Sequence, residues 1–241
     1  MRRHVRGIDH AVILVRDLDR ARDTYARLGF TLTPRGYHSL GSQNHCIMFG
    51  RDYLELMALP KPHPAFQYFS DFLARGEGVG AIALATDDAV AAHAELASAG
   101  IAAEAPLALS RPVENLGEAR FTLVQLAPEQ TPGFRTFLCQ HHTRDIVWRP
   151  EYQEHAVGAR EIESIAVDAP DPLRYAPLFD GLPVKFSKAA APAVTALRIR
   201  VEDRADAAAA LRRGGFLPTI LADGALAVSA DQAHGVALVF G

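Results

Sequence analysis

The chain has 241 residues and a mass of 26.1 kDa, enough for one large domain or two small ones at about 100–200 residues each. A composition of 49% hydrophobic and 22% charged residues excludes a disordered chain, and a net charge of -3 leaves no basic excess for a nucleic-acid surface. The longest apolar runs, such as Ile82–Ala85 and Val236–Phe240, fall far below the ~20 residues that span a bilayer.

The basic start, Met1-Arg2-Arg3-His4, runs directly into Asp9-His10, with no apolar signal segment. Cys46 and Cys139 lack CxxC spacing and are too few for a disulfide framework. A cytoplasmic protein without a membrane partner is therefore expected.

Four copies of one unit follow in chain order. Ile8–Val15, a period-two strand, leads into Asp17 and a helical run ending at Leu28-Gly29-Phe30. Val79–Ala85, Asp87 and Gly100-Ile101 repeat the pattern, as do Val194–Val201, Asp203 and Gly215-Phe216. A weaker copy runs from Ile162 through Asp171 to Gly181-Leu182. The Asp side chain accepts from the free amides of the first helical turn, and the glycine takes the left-handed conformation that ends it. Leu18, Ala21, Tyr25 and Leu28 recur at helical spacing and form one buried face. Chance matches within an ordinary α+β sandwich are the competing reading; near-constant spacing in four copies favours a true repeat.

Short strand-like runs follow the first copy at 30–33, 44–49 and 53–59, and the second at 121–126 and 135–141. Each long copy thus reads as βαβββ, a helix on one face of a small curved sheet. Copies three and four are compressed and form a degenerate second pair. The expected division is a paired domain over 1–142, a linker over 143–160 containing Trp148, Pro150 and Gly158, and a shorter pair over 161–241. The prolines at 60, 62 and 64 join the first two modules.

His10 lies on the opening strand, and the other copies carry no histidine at the matching place. Glu55 lies in the apolar strand Tyr53-Leu54-Glu55-Leu56-Met57, where a buried carboxylate needs a partner or a cation. A core histidine and a solvent-facing glutamate are the bland alternatives. His141-His142 closes the second unit, and alternation lets only one of them face the same way as Cys139. Matching Cys139 to Glu55 turns His141 inward; a one-residue slip exchanges it for His142 and Gln140. Two histidines and one carboxylate suit iron or zinc with open positions. On this reading His141→Ala weakens metal binding by orders of magnitude, and His142→Ala changes little.

Asn44 and His45, at the start of a strand, could hydrogen-bond a substrate or form a polar turn. Arg120 and Arg135 could meet a carboxylate, and no pattern supports His38 or His155. No Walker-type phosphate loop, GxGxxG fingerprint, GxSxG elbow or HExxH helix is present.

Asp9-His10, Asp17-Leu18, Leu28-Gly29-Phe30, Asn44-His45 and Tyr53-Leu54-Glu55-Leu56 together resemble the vicinal oxygen chelate superfamily, in particular its glyoxalase-like domain proteins. The resemblance covers residues 7–142 and extends more loosely to the C-terminus. It implies an α+β fold in which tandem βαβββ modules form a U-shaped cup around a divalent ion, with His10 and Glu55 as first-module ligands. It also implies a zinc, iron, manganese or nickel cofactor, a small oxygen-bearing substrate, lyase, isomerase or dioxygenase chemistry, and a homodimer. The second module departs from the pattern: Gly80-Ala81-Ile82 carries no histidine, and Leu138-Cys139-Gln140 stands where a glutamate is expected. A site completed by His141, with Glu55 and His141 catalytic and Asn44, His45 and Gln140 at the bound group, is one outcome. A metal-free cup that sequesters a small molecule is the second, and a site completed by a partner chain is the third. No metal is expected beyond residue 158.

Overall fold

The structure, a computed structural model, describes residues 3–113 and 116–241; Met1, Arg2, Glu114 and Asn115 lie outside the described residues. The first module comprises β1 (Gly7–Leu14), α1 (Leu18–Arg27), β2 (Gly36–Tyr37), β3 (Gln43–Met48) and β4 (Tyr53–Ala58). A helix, α2 (Gln67–Arg75), follows the proline-rich link. The second module comprises β5 (Gly78–Ala85), α3 (Ala89–Ser98), β6 (Leu107–Val113), β7 (Gly117–Gln125) and β8 (Arg135–His141). These eight strands form one curled, nearly closed sheet in the order β2-β3-β4-β1-β5-β8-β7-β6. Its centre is the antiparallel β1–β5 pair, and β4 and β8 run parallel to β1 and β5.

After the one-turn helix α4 (Arg144–Val147) come β9 (Ala159–Ala169), α5 (Ala176–Phe179) and β10 (Val184–Lys188). The last copy adds β11 (Ala193–Val201), α6 (Arg204–Arg213), β12 (Thr219–Ile220), β13 (Leu226–Val228) and β14 (Ala237–Phe240). Their six-stranded sheet has the order β10-β9-β11-β14-β13-β12. Its β9–β11 pair is antiparallel and flanked by parallel neighbours, as is the β1–β5 pair of the larger sheet. The third copy is compressed because only one strand, β10, follows its single helical turn.

The repeat's local chemistry is visible in the caps. Asp17, Asp88 and Asp203 each accept a backbone N–H in the first turn of α1, α3 and α6; in the second copy the cap is Asp88, one residue beyond the expected Asp87, whose carboxylate pairs with Arg6 instead. The stop glycines Gly29, Gly100, Gly181 and Gly215 all adopt positive φ, which an L side chain resists. The strand expected at 30–33 is absent. Thr31 donates its N–H to His155 and Thr33 donates to Cys46, so this stretch is committed to loop contacts, and Pro34 follows. The short strand forms later, at Gly36–Tyr37, and α2 and β6 complete elements that period counting did not locate.

One hydrophobic core joins the helical sides of both sheets. Tyr25 on α1 is fully buried, and its hydroxyl donates to the Ala233 carbonyl at 3.1 Å. Phe30 meets Phe49 and Phe240 with ring centroids 6.3 and 5.9 Å apart. Gly214, at the end of α6, lies so close to the Arg27 carbonyl that a Cβ there would collide with it. Burying each Leu or Ile of this core contributes about 1.5–3 kcal/mol. Among the described residues, no helix is long and apolar enough to cross a membrane.

Candidate functional site

The inner surface of the curled sheet carries the polar residues, and a β-bulge decides which. In the β1–β5 pair Ile8 lies opposite Leu84 and His10 opposite Ala83, leaving Asp9 as an extra residue. The bulge interrupts the alternation of faces, so Asp9 and His10 meet instead of pointing apart. Asp9 Oδ2 lies 2.6 Å from His10 Nδ1 and 3.0 Å from His141 Nε2. The second module has a matching bulge at Gly80, between the pairs Val12–Ala81 and Ile13–Val79. A Cβ on Gly80 would collide with the Leu14 side chain, so the counterpart of Asp9 carries no side chain.

Glu55, on β4, stands opposite Val12 of β1 and Cys46 of β3. Asn44 Nδ2 donates to Glu55 Oε1 at 2.6 Å, and His10 Nε2 lies 3.6 Å from Glu55 Oε2, beyond hydrogen-bond reach. The His10 ring is stacked on Tyr53 at 4.3 Å and meets the Phe137 ring at an edge, 5.4 Å away. His38, which no sequence pattern singled out, reaches the same place. Its Nε2 lies 3.8 Å from Glu55 Oε1 and 3.5 Å from Asn44 Nδ2, and its Nδ1 is 2.8 Å from Ser42 Oγ. Pairing of Gly36 with Asn44 folds this hairpin back beside the glutamate.

The second module's register differs from the expected one. Ala83 pairs with Phe137 as Val12 pairs with Glu55, and Ala85 pairs with Cys139 as Leu14 pairs with Met57. Phe137, not Cys139, therefore occupies the position equivalent to Glu55. A slip of two residues preserves the facing, so Cys139 and His141 still point inward. His141 lies among the rings of Phe121, Trp148 and Tyr53, at 4.9, 4.8 and 6.4 Å. His142 faces outward, exposed, with its Nε2 2.8 Å from Thr122 Oγ1.

Two expected pocket residues lie elsewhere. Gln140 accepts from Ala89 N–H and donates to the Asp87 carbonyl, so it is spent on the start of α3. His45 follows Asn44 on β3, and alternation turns it to the outer side, where its Nδ1 meets the Thr33 carbonyl at 2.8 Å. Arg135 stacks over Tyr68, 4.9 Å from its ring centre. His155 is structural, accepting from Thr31 N–H and donating to the Met48 carbonyl.

Burial raises the pKa of Asp9, but the hydrogen bonds it accepts from His10 and His141 outweigh it and hold the carboxyl well below its usual range. Burial, with the nearby Asp9 and Glu55 carboxylates, pushes the Cys139 thiol far up, so it stays protonated. Burial lowers His38, against the opposing pull of Glu55. Phe69, Phe72 and Leu73 of α2 cover one end of the cup with Val12, Leu14, Met57 and Phe137. Val147 and Trp148 cover the other with Cys46, Met48 and Tyr53.

Two donor sets follow. Asp9, Cys139 and His141 have ligand atoms within 4.8 Å of one another, a possible metal site that omits Glu55. His10 Nε2 and Glu55 Oε2 form the second set, and the chemistry of this pair fits a divalent ion. Nδ1 of His10 is committed to a carboxylate, the usual outer partner of a ligating imidazole, which leaves the Nε2 lone pair facing Glu55.

The model of the glyoxalase-like domain family matches residues 8–183. A hypothetical protein from Staphylococcus aureus has a similar structure, with a TM-score of 0.70, 13% identity and 98% of each chain covered. A mutant of 4-hydroxymandelate synthase from Streptomyces coelicolor superposes with a TM-score of 0.64 at 13% identity, covering 98% of this chain and 92% of that one. Methylmalonyl-CoA epimerase from Mycobacterium tuberculosis is 23% identical over 56% of this chain and 88% of its own, with a TM-score of 0.46. No curated protein matches at a significant level. With the family model covering most of its length and the paired modules curled into a cup, the chain belongs to the glyoxalase-like domain family of the vicinal oxygen chelate superfamily.

Proposed function

We propose that the cup is a divalent-metal site for proton-transfer chemistry of the lyase or isomerase kind on a small oxygen-bearing substrate. The supporting observation is the orientation of His10: Nδ1 is held by Asp9 at 2.6 Å, and Nε2 faces Glu55 at 3.6 Å. A zinc, iron, manganese or nickel ion held by this pair would supply a Lewis acid to two neighbouring substrate oxygens.

The chain's own residues do the remaining work. Asn44 orients Glu55 through its side-chain amide, and Asp9 fixes the tautomer of His10. His38, with Nε2 3.8 Å from Glu55 Oε1, is placed to take or return a substrate proton, with Ser42 orienting its other nitrogen. His141 acts through Asp9 as a positioning residue. The walls of Tyr53, Phe137 and Trp148 keep water out and accept an apolar or aromatic substrate body. In this proposal the unit over 1–142 carries the site, and the unit over 161–241 supports its helical side.

Sequestration without chemistry is the second reading, favoured by one observation: Ala81 and Phe137 occupy second-module positions equivalent to His10 and Glu55. Metal analysis and thermal shift separate the two readings. The catalytic reading expects stoichiometric metal and stabilisation by divalent ions, with affinity lowered about 100-fold or more in His10→Ala and Glu55→Gln. It also expects His38→Gln to bind metal normally yet lose turnover. Absence of metal binding in the unaltered protein, with stabilisation by small organic compounds alone, would overturn the catalytic reading.

A further inference from the structure

We infer that Arg111 is the anion-binding residue of the cup, and that the substrate carries a carboxylate which this guanidinium holds beside Glu55 and His38. The inference rests on the reading of the cup as the reaction site, and it adds the charge of the molecule that enters. β6, which carries Arg111, and β2, which leads into His38, are the two edges of the curled sheet and lie against each other.

Arg111 pairs with Ala119 of β7, and directly opposed residues of an antiparallel pair face the same side. Ala119 is fully buried in the inner wall with Cys46, Met48, Tyr53 and Trp148, so Arg111 points into the cup. Its Nη1 lies beside Gly36: a Cβ there would be 3.5 Å from that nitrogen and would collide with Asn44 Oδ1. Asn44 is the residue whose amide holds Glu55. The charge also reaches His38. Burial lowers the pKa of that imidazole against the pull of Glu55, and Arg111 adds to the fall.

The guanidinium is half-buried, yet among the described residues it makes no hydrogen bond or ion pair. None of its nitrogens is shut away from solvent, unlike Nη1 of Arg135. Arg160 and Arg198, also half-buried, each meet two carboxylates. A partly desolvated guanidinium without a counter-charge is costly, and a carboxylate relieves it by accepting two parallel N–H bonds from the planar fork. One arginine balances one charge. A phosphate dianion would leave an excess charge facing the Glu55 carboxylate, so the site suits a carboxylate better. Tyr53 and Trp148, in the same wall, receive an apolar or aromatic body.

Calorimetry on the full chain, freed of metal by chelation, tests the inference with benzoate, benzamide and phenyl phosphate as probes. Benzoate is expected to bind at least tenfold more tightly than benzamide, which has a similar shape and no charge, and more tightly than phenyl phosphate. Saturating benzoate is expected to shift the Nε–Hε resonance of Arg111. Arg111→Gln should weaken benzoate at least tenfold and leave benzamide unchanged, whereas Arg120→Gln, on the exposed side of β7, should change neither. Equal affinity for benzoate and benzamide, or an unmoved Arg111 resonance, would overturn the inference. Tighter binding of phenyl phosphate than of benzoate would overturn the carboxylate assignment. The probe comparison and the resonance are read on the unaltered chain, so they stand even if Arg111→Gln does not fold. They are also read without metal, so a failure of metal binding at His10 and Glu55 overturns the catalytic reading and leaves this result to be judged by itself.

Discussion

Asp9→Ala is expected to lower the stability of the protein by about 3–5 kcal/mol, the usual loss when one member of a buried charged network is removed. Asp9 is 1% exposed, and a single oxygen, Oδ2, serves two imidazoles. Its removal leaves His10 Nδ1 and His141 Nε2 in the cup wall with no acceptor. The effect is pH-dependent with a defined sign. The folded-state pKa is depressed, because hydrogen bonds from His10 and His141 outweigh the opposing effect of burial. The carboxylate's contribution is therefore fully present above the unfolded value of about 3.9, and it is lost as pH falls below that value toward the folded one. Denaturant unfolding at pH 7 and pH 3 should show a steep acid loss in the unaltered chain and a shallower one in Asp9→Asn. Metal affinity should also fall about 10–100-fold in Asp9→Asn, since the carboxylate orients His10. A stability loss below about 1 kcal/mol in Asp9→Ala would mean that the two imidazoles find other partners.

Asp52→Asn is expected to stabilise the protein at pH 8 and to remove a pH dependence between pH 4 and 7. Asp52 lies in the turn between β3 and β4, is 3% exposed, and accepts the Ile162 N–H at 2.9 Å, tying the cup to β9. Burial pushes its pKa up to about 7, with Glu161 adding to the rise and the Ile162 amide and Arg51 opposing it. The sign is opposite to that of Asp9. Between the unfolded value near 4 and the folded value near 7 the folded state holds the extra proton, so stability falls as pH rises through that window and is level above it. The full difference is about 4 kcal/mol. Asparagine keeps an oxygen for Ile162 and has no charge to bury, so its stability should be flat across the window. Melting curves at intervals from pH 4 to 8 decide the matter: parallel profiles for both chains would assign the slope to another group.

Much of the fold is legible in the chain itself. Asp17 and Gly29 bracket α1 through interactions within a few residues, and the same cap and stop recur around α6. These are local effects, repeated four times, so counting residues finds them. The loop at 30–35 was not legible, because its amides are taken by His155 and Cys46 from distant parts of the chain.

The site divides along the same line. Glu55 was legible as a carboxylate in an otherwise apolar strand, and His141 rather than His142 as the inward residue, because the parity of a strand belongs to its own backbone. Asp9 was not. Simple alternation turns it away from His10, and only the bulge created by pairing β1 with β5 brings the two side chains together. His38 reaches Glu55 only because Gly36 pairs with Asn44, and Phe137 takes the place opposite Ala83 only in the register that β5 and β8 adopt. The repeating unit, its cap-and-stop signals and the facing of the unbulged strands are written in the chain, as products of nearest-neighbour sterics and hydrogen bonding. Which inward-facing residues meet is settled only on folding, because register and bulges depend on the strand lying alongside, which for the β1–β5 and β5–β8 pairs is dozens of residues away.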